Sequence, residues 1–129
     1  MIIGLDIDDT ITQHPEFFSF LSGALTQAGH TVIIITFRED RQATEEYLKK
    51  CSIAYTKLIT STLESSFEYG VDQWKSAMCR QYDVDIFFDD DPRVLKHVDL
   101  STFCVMPLGG TVKRTVATLD SSASRAGNS

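Results

Sequence analysis

The stretch Met1-Ile-Ile-Gly-Leu-Asp-Ile-Asp-Asp-Thr-Ile-Thr12 predicts both the fold and a site. Its apolar run Ile2–Leu5 is typical of a buried parallel strand, and carboxylates follow at Asp6, Asp8 and Asp9. Side chains alternate along an extended backbone, so Asp6 and Asp8 are expected on one side. Like charges at such a separation repel unless a cation or a shared proton offsets them. The stretch therefore favours a Mg²⁺ site, since Mg²⁺ takes oxygen ligands, although a solvated turn also contains Asp and Thr.

The rest of the chain alternates helix and strand patterns. Pro15 begins a predicted helix whose apolar face is Phe17, Phe18, Leu21, Ala24, Leu25 and Ala28, and the β-branched run Thr31–Thr36 resembles a central parallel strand. The further elements are a helix at about Arg41–Cys51, a strand at Ala54–Thr60, a loop at Ser61–Gly70, a helix at about Val71–Tyr82, a strand at Asp85–Phe88, a short helix from Pro92 and a strand at Thr102–Met106. The buried faces of the two longer helices among these are expected to contain Ala43, Tyr47, Leu48 and Cys51, and Val71, Trp74, Met78 and Tyr82. The alternation predicts a three-layer, Rossmann-like α/β fold, with helices on both faces of a parallel sheet.

Length and charge limit the possible classes of protein. The chain of 129 residues suits a single domain at residues 1–108, followed by a C-terminal tail at 109–129 that is expected to be partly disordered. The net charge of −6 argues against a nucleic-acid polymer and against a membrane surface as partners. No apolar run approaches the roughly 18 residues of a membrane span, and no signal peptide is expected before the first strand. Three widely spaced cysteines indicate neither a disulfide framework nor a zinc site, which favours a cytoplasmic location.

Polar side chains follow three of the predicted strands. Asp6 ends the first strand, Thr36 the second, and Asp89 and Asp90 the fourth. Parallel strands end at one edge of the sheet, and ligands of such sheets bind beyond that edge. The convergence predicts a binding or catalytic site without reference to any family.

These same residues carry a resemblance to a known family. Asp6-Ile7-Asp8-Asp9-Thr10, then Thr36, Lys75 and Asp89-Asp90, resemble the four ordered motifs of the haloacid dehalogenase-like (HAD) phosphohydrolase superfamily. The similarity covers the whole predicted fold. The stretch Thr36-Phe37-Arg38 and the second aspartate of the first motif are also similar to the nucleotidase-like branch.

The resemblance implies a Mg²⁺-dependent phosphomonoester hydrolase that acts through an aspartyl-phosphate, with residue roles as follows. Asp6 is the nucleophile and Asp8 the general acid and base. The metal ligands are Asp6, Asp8 through its main-chain carbonyl, and Asp89 or Asp90. The substrate phosphate contacts Thr36 and Lys75, and Arg38 is a further substrate-binding candidate.

Two neighbouring residues have competing interpretations. Lys57 is a rival for the family's lysine, but Lys75 is preferred because its helix leads into the acidic strand. Asp91 before Pro92 fits a helix N-cap rather than a metal ligand.

The gaps between the predicted elements are too short for a cap domain. The resemblance therefore implies a capless member with an open site, and such a site excludes water poorly. The expected partner is a phosphorylated small molecule or a phosphorylated macromolecule, with a homo-oligomer as a possible cover for the site. Two alternatives remain: a catalytically inactive HAD-like module that binds phosphate or a partner, and a phospho-receiver. The receiver is less consistent with the sequence, because the third predicted strand ends in Thr60-Ser61-Thr62 without an aspartate.

Overall fold

A computed structural model describes residues 1–110 as an α/β fold around one parallel sheet. The strands are β1 (Ile2–Leu5), β2 (Thr31–Thr36), β3 (Lys57–Thr60), β4 (Ile86–Phe88) and β5 (Phe103–Val105). The helices are α1 (Pro15–Gln27), α2 (Arg41–Lys50), α3 (Leu63–Tyr69), α4 (Trp74–Gln81) and α5 (Pro92–Leu95). The strand order is β3-β2-β1-β4-β5, and every pair is parallel. The predicted Rossmann-like α/β class is confirmed.

Two apolar clusters, one on each face of the sheet, make up the core. The first joins β1 to α1 and α2 through Leu5, Phe18 and Leu48. The second joins β2 and β4 to α4 through residues that include Ile35, Phe87, Trp74 and Met78. Alternate residues of a strand face opposite sides, so the continuous apolar run of β2 supplies both clusters. This arrangement gives the three layers expected from the sequence.

The register of the sheet brings the ends of its central strands together. Leu5 of β1 pairs with Ile34 of β2 and with Phe88 of β4. The backbone N–H of Asp6 then donates to the Phe88 carbonyl at 3.0 Å, which extends the ladder by one residue beyond β1. The residues that follow β1, β2 and β4 therefore emerge at one edge of the sheet.

The predicted loop at Ser61–Gly70 is wrong, because the chain forms α3 there. Thr62 and Ser65 cap this helix reciprocally: the Ser65 N–H donates to Thr62 Oγ1 at 3.0 Å, and the Thr62 N–H donates to Ser65 Oγ at 3.1 Å. No residue of α3 is buried, and Phe67 is 83% exposed. The apolar periodicity that identifies a packed helix was therefore absent at α3, where Ser65 serves as a capping group.

Three other helix predictions need correction at the level of single side chains. Val71, predicted to face inward, is 65% exposed, because α4 begins only at Trp74. In α2, Ala43 is exposed and Thr44 is buried in its place, with its hydroxyl donating to the Asp40 carbonyl at 2.7 Å. In α1, the buried residues are Phe18 and Ser22, whereas three members of the predicted apolar face are exposed: Phe17, Ala24 and Ala28.

The N-terminus of α5 and the C-terminal region of the chain complete the comparison with the predicted elements. The side chain of Asp91 accepts from the Arg93 N–H at 2.9 Å, so Asp91 is the N-cap of α5, as expected. Most of the predicted tail at 109–129 lies outside the described residues. Within residues 1–110, no helix has the length and apolar character needed to cross a bilayer.

Two glycine substitutions test the packing of β1 against a matched control. A Cβ on Gly4 would lie 3.0 Å from Phe87 Cδ1, so Gly4→Ala is expected to destabilise the fold by about 1–3 kcal/mol. A Cβ on Gly23, inside α1, would meet nothing within 4 Å, so Gly23→Ala is expected to stabilise the fold by about 0.5–1 kcal/mol. Urea denaturation measures both changes. Equal effects of the two substitutions would contradict the close packing of β1 against Phe87.

Candidate functional site

An acidic cleft of about 160 Å³ lies at the carboxyl edge of the sheet. Its lining residues are Asp6, Asp8, Asp9, Phe37, Lys75, Asp89, Asp90, Asp91 and Val94. The loops after β1, β2 and β4 supply most of these residues, and α4 supplies the lysine. The structure thus places six aspartates and one lysine at the edge where the sequence predicts a site.

Lys75 is the centre of this group of charges. Its Nζ lies 2.5 Å from Asp6 Oδ1 and 2.9 Å from Asp89 Oδ2, and all three residues are at least 96% buried. The Lys75 Nζ also lies 4.8 Å from the centre of the Phe37 ring, which packs on Trp74. A buried cation shared by two carboxylates and covered by an aromatic ring is held in a single geometry.

Burial and the neighbouring charges change the pKa values of Asp6, Asp89 and Lys75. Desolvation raises the pKa of Asp6 to about 7, although the nearby Lys75 ammonium acts in the opposite direction. Desolvation also raises the pKa of Asp89, again against the effect of Lys75. For Lys75, burial alone would lower the pKa, but the charges of Asp6 and Asp89 outweigh it and the pKa is raised. Lys75 therefore remains an ammonium, whereas burial favours the protonated form of each of the two carboxyl groups.

Thr10 is a member of the site that the sequence argument did not single out. Its hydroxyl lies 3.0 Å from Asp6 Oδ2, to which it donates, and 3.4 Å from Asp90 Oδ1. The turn over Ile7–Ile11 brings it there, with Asp9 at a φ of 63° and the Asp9 N–H donating to Thr12 Oγ1 at 2.8 Å. Asp and Thr in such a turn hydrogen-bond locally, and this tendency was the signal available from the sequence.

Asp6, Asp89 and Asp90 form a set of carboxylates that could hold a cation. One oxygen from each lies within 4.8 Å of the other two. The Asp89 Oδ1 also accepts the Asp91 N–H at 2.8 Å, whereas within residues 1–110 the Asp90 carboxylate accepts only the long contact from the Thr10 hydroxyl. The Asp8 side chain is not part of this set, and the metal role expected for Asp8 concerns its main-chain carbonyl.

Asp8 instead pairs with Arg38 on one wall of the cleft. Arg38 NH2 lies 2.8 Å from Asp8 Oδ1, and Arg38 Nε lies 3.1 Å from Asp8 Oδ2. The guanidinium rests on the Tyr47 ring, 4.8 Å from its centre. Both Asp6 and Asp8 line the cleft, as expected, but they contact different cations.

The remaining two candidates, Thr36 and Lys57, lie outside the cleft lining. Thr36 is fully buried at the end of β2, and its Oγ1 accepts the Arg38 N–H at 3.1 Å. Its hydroxyl proton remains available for another acceptor. Lys57 begins β3, an outer strand of the sheet, and its Nζ lies over the Tyr82 ring at 5.0 Å. Of the two candidate lysines, the structure therefore places Lys75 beside Asp6.

The fold and the cleft define a class: a parallel α/β protein with a buried carboxylate–lysine cluster at the carboxyl edge of its sheet. No protein-family model and no curated protein sequence matches the chain. Among solved structures, a chain in the Pnkp1/Rnl/Hen1 RNA repair complex is similar, with a TM-score of 0.66 and 20% sequence identity over 82% of the present chain. The present chain covers 42% of the length of that chain. At this identity the similarity shows the fold alone.

Proposed function

We propose that the protein is a Mg²⁺-dependent phosphomonoester hydrolase of the HAD type, acting through an aspartyl-phosphate. The observation that carries the proposal is the buried contact of Lys75 with both Asp6 and Asp89, with Asp90 beside them. The substrate is a phosphorylated small molecule or macromolecule. Three free thiols support the proposed cytoplasmic location, and a homo-oligomer would cover the open cleft.

The chemistry of the acidic residues fits a hard divalent cation. Asp6, Asp89 and Asp90 offer three carboxylate oxygens in close proximity, and burial disfavours the negative charge of Asp6 and of Asp89. Bound Mg²⁺ would supply charge neutralisation for the approach of an anionic phosphate to an anionic nucleophile. The Asp8 main-chain carbonyl is the fourth proposed ligand.

In the proposed reaction, each of these residues has a separate role. A carboxylate oxygen of Asp6 forms a bond to phosphorus while the bond from phosphorus to the ester oxygen breaks. Asp8 gives a proton to the departing oxygen and later takes one from the water that hydrolyses the aspartyl-phosphate, releasing inorganic phosphate. Lys75 orients Asp6 and stabilises the charge that develops on the phosphoryl oxygens. Thr36 is the proposed hydroxyl donor to the phosphoryl group.

A turnover assay tests the proposal directly. The purified chain is incubated with 4-nitrophenyl phosphate and Mg²⁺, and released phosphate is measured with and without EDTA. Metal-dependent release is the expected result. Absence of release from a folded protein at saturating Mg²⁺ would refute hydrolysis as the function.

Removal of one carboxylate is expected to weaken metal binding. Asp90→Asn should lower the Mg²⁺ affinity at least about tenfold, equivalent to roughly 1.4 kcal/mol, because an amide offers only a neutral oxygen. Isothermal titration calorimetry on the wild-type and variant chains measures the change. Asp99→Asn is the matched control, since Asp99 lies beside the start of β4 at the opposite edge of the sheet. Equal losses in the two variants would remove Asp90 from the proposed ligand set.

One observation favours a second candidate, a catalytically inactive HAD-like module that binds phosphate or a partner. Arg38 holds the Asp8 carboxylate through two of its nitrogens, so Asp8 has to leave this ion pair before it can serve a leaving group. Such a module would bind the phosphate analogue vanadate in the presence of Mg²⁺ but release no phosphate from any ester. Binding and turnover measured on the same preparation distinguish the two candidates.

A further inference from the structure

Arg38 lies beside the cleft, where it contacts the lining residue Asp8 and rests on the Tyr47 ring. The guanidinium is stacked on Tyr47, which belongs to α2 and packs against the core beneath that helix. The Arg38 side chain is 31% exposed, and that of its partner Asp8 is 58% exposed. An ion pair open to water to this extent contributes little stability, so another anion can replace Asp8 at small cost.

Lys75 and Arg38, which contact Asp6 and Asp8 respectively, are separated by the direction of the chain after β2. Phe37 lies under Lys75, on the side of Trp74, whereas Arg38 lies with Asp8 and Tyr47. Lys75 is already shared between two buried carboxylates. Arg38, in contrast to Lys75, contacts a carboxylate that is mainly exposed, the side chain of Asp8.

The position of Asp8 indicates which part of a substrate would reach Arg38. In the proposed reaction Asp8 faces the leaving group, so the guanidinium that contacts Asp8 lies on the leaving-group side of the scissile phosphate. A planar guanidinium binds carboxylate or phosphate oxygens in pairs, as it now binds Asp8. Exchange of Asp8 for a substrate anion also frees the Asp8 carboxylate to take up a proton from water, which it can then give to the departing oxygen.

We propose that Arg38, supported by Tyr47, is the binding site for a second anionic group in the leaving group of the substrate. The preferred esters accordingly carry a carboxylate or a phosphate next to the phosphate that is hydrolysed. The proposal rests on the proposed hydrolase function and narrows its substrate class.

A pair of esters that differ in one anionic group tests the proposal. The probes are 2-phosphoglycolate, whose leaving group carries a carboxylate, and 2-hydroxyethyl phosphate, which has a neutral hydroxyl instead. The kcat/KM ratio of the two esters is expected to be at least about 10 for the wild-type chain and about 1 for Arg38→Gln. Arg38→Lys should retain part of the preference, because a lysine keeps the charge but not the planar pair of donors. Tyr47→Leu should reduce the preference mainly through KM for 2-phosphoglycolate.

The control is Arg80→Gln, which removes an arginine from another exposed arginine–aspartate pair, Arg80 with Asp99, and should keep the wild-type ratio. A wild-type ratio near 1, or an Arg38→Gln variant with an undiminished ratio, would overturn the proposed anion site while leaving hydrolysis intact. Hydrolysis of neither ester nor of 4-nitrophenyl phosphate would overturn both proposals together.

Discussion

Asp6→Asn is expected to abolish turnover while preserving the fold. The amide has nearly the same shape as the carboxylate but cannot form the aspartyl-phosphate, so kcat should fall at least about 10³-fold. Asp6 is 4% exposed, and burial already raises its pKa to about 7, so a neutral isostere is tolerated at this position. Phosphate release under saturating Mg²⁺, together with the circular dichroism spectrum of each chain, measures activity and folding separately.

The control for this prediction is Asp99→Asn, at the opposite edge of the sheet, which should retain wild-type kcat. Acid quenching of the wild-type chain during turnover should also trap phosphate on a peptide that contains Asp6. An Asp6→Asn variant with undiminished kcat would be incompatible with Asp6 as the nucleophile.

Lys75→Met is expected to cause the largest loss of stability among these substitutions. The change leaves Asp6 and Asp89 buried without their shared cation, and breaking a buried ion pair in this way costs about 3–5 kcal/mol. Methionine keeps much of the length and apolar contact of the lysine stem, so the lost charge dominates the effect. Urea denaturation at pH 7.5 measures the difference in the free energy of unfolding.

The exposed lysine Lys57, over the Tyr82 ring, provides the matched control. Lys57→Met removes a single exposed cation–π contact and should cost no more than about 1 kcal/mol. Similar losses for the two variants would show that Lys75 contributes as an ordinary surface lysine.

The loss of stability caused by Lys75→Met is expected to depend on pH in one direction. Burial raises the pKa of Asp6 and of Asp89 above the usual carboxyl value, and the removal of the ammonium raises both further. A carboxyl group whose pKa is higher in the folded state costs stability once the pH exceeds the pKa of the unfolded chain, and this cost grows until the folded pKa is passed. The difference in unfolding free energy between the wild-type and Lys75→Met chains should therefore decrease as the pH is lowered from 7.5 towards 5, because the two carboxyl groups are increasingly protonated.

The burial of the cluster supports the proposed phosphate chemistry in an open cleft. Water reaches the Asp8–Arg38 pair, but Asp6, Lys75 and Asp89 lie below it with little exposure. Charges act more strongly on one another where water is excluded. In the proposed reaction, the depth of the cluster would therefore protect Asp6 from water in part, and a cap would be less necessary than the open cleft suggests.

The sequence by itself determined the class of fold and the edge at which charged side chains collect. Apolar β-branched runs specify parallel strands, and their carboxyl ends share one edge, so Asp6 and Asp89 had to emerge close together. Local signals also specified the N-cap at Asp91. The sequence-based prediction failed at α3. That helix has an N-cap, but it has no buried face and therefore no apolar periodicity.

Only the tertiary structure decided which cation each aspartate contacts. Asp6 and Asp8 are separated by one residue, yet one contacts Lys75, 69 positions later, and the other contacts Arg38, 30 positions later. The turn at Ile7–Ile11 and the packing of α4 against the sheet set these pairs, and the packing of α4 depends on contacts distant in sequence. The alternation of side chains in an extended segment predicts the side of the strand on which Asp6 and Asp8 lie. The cation that each one contacts depends on which side chain the folded chain places beside it.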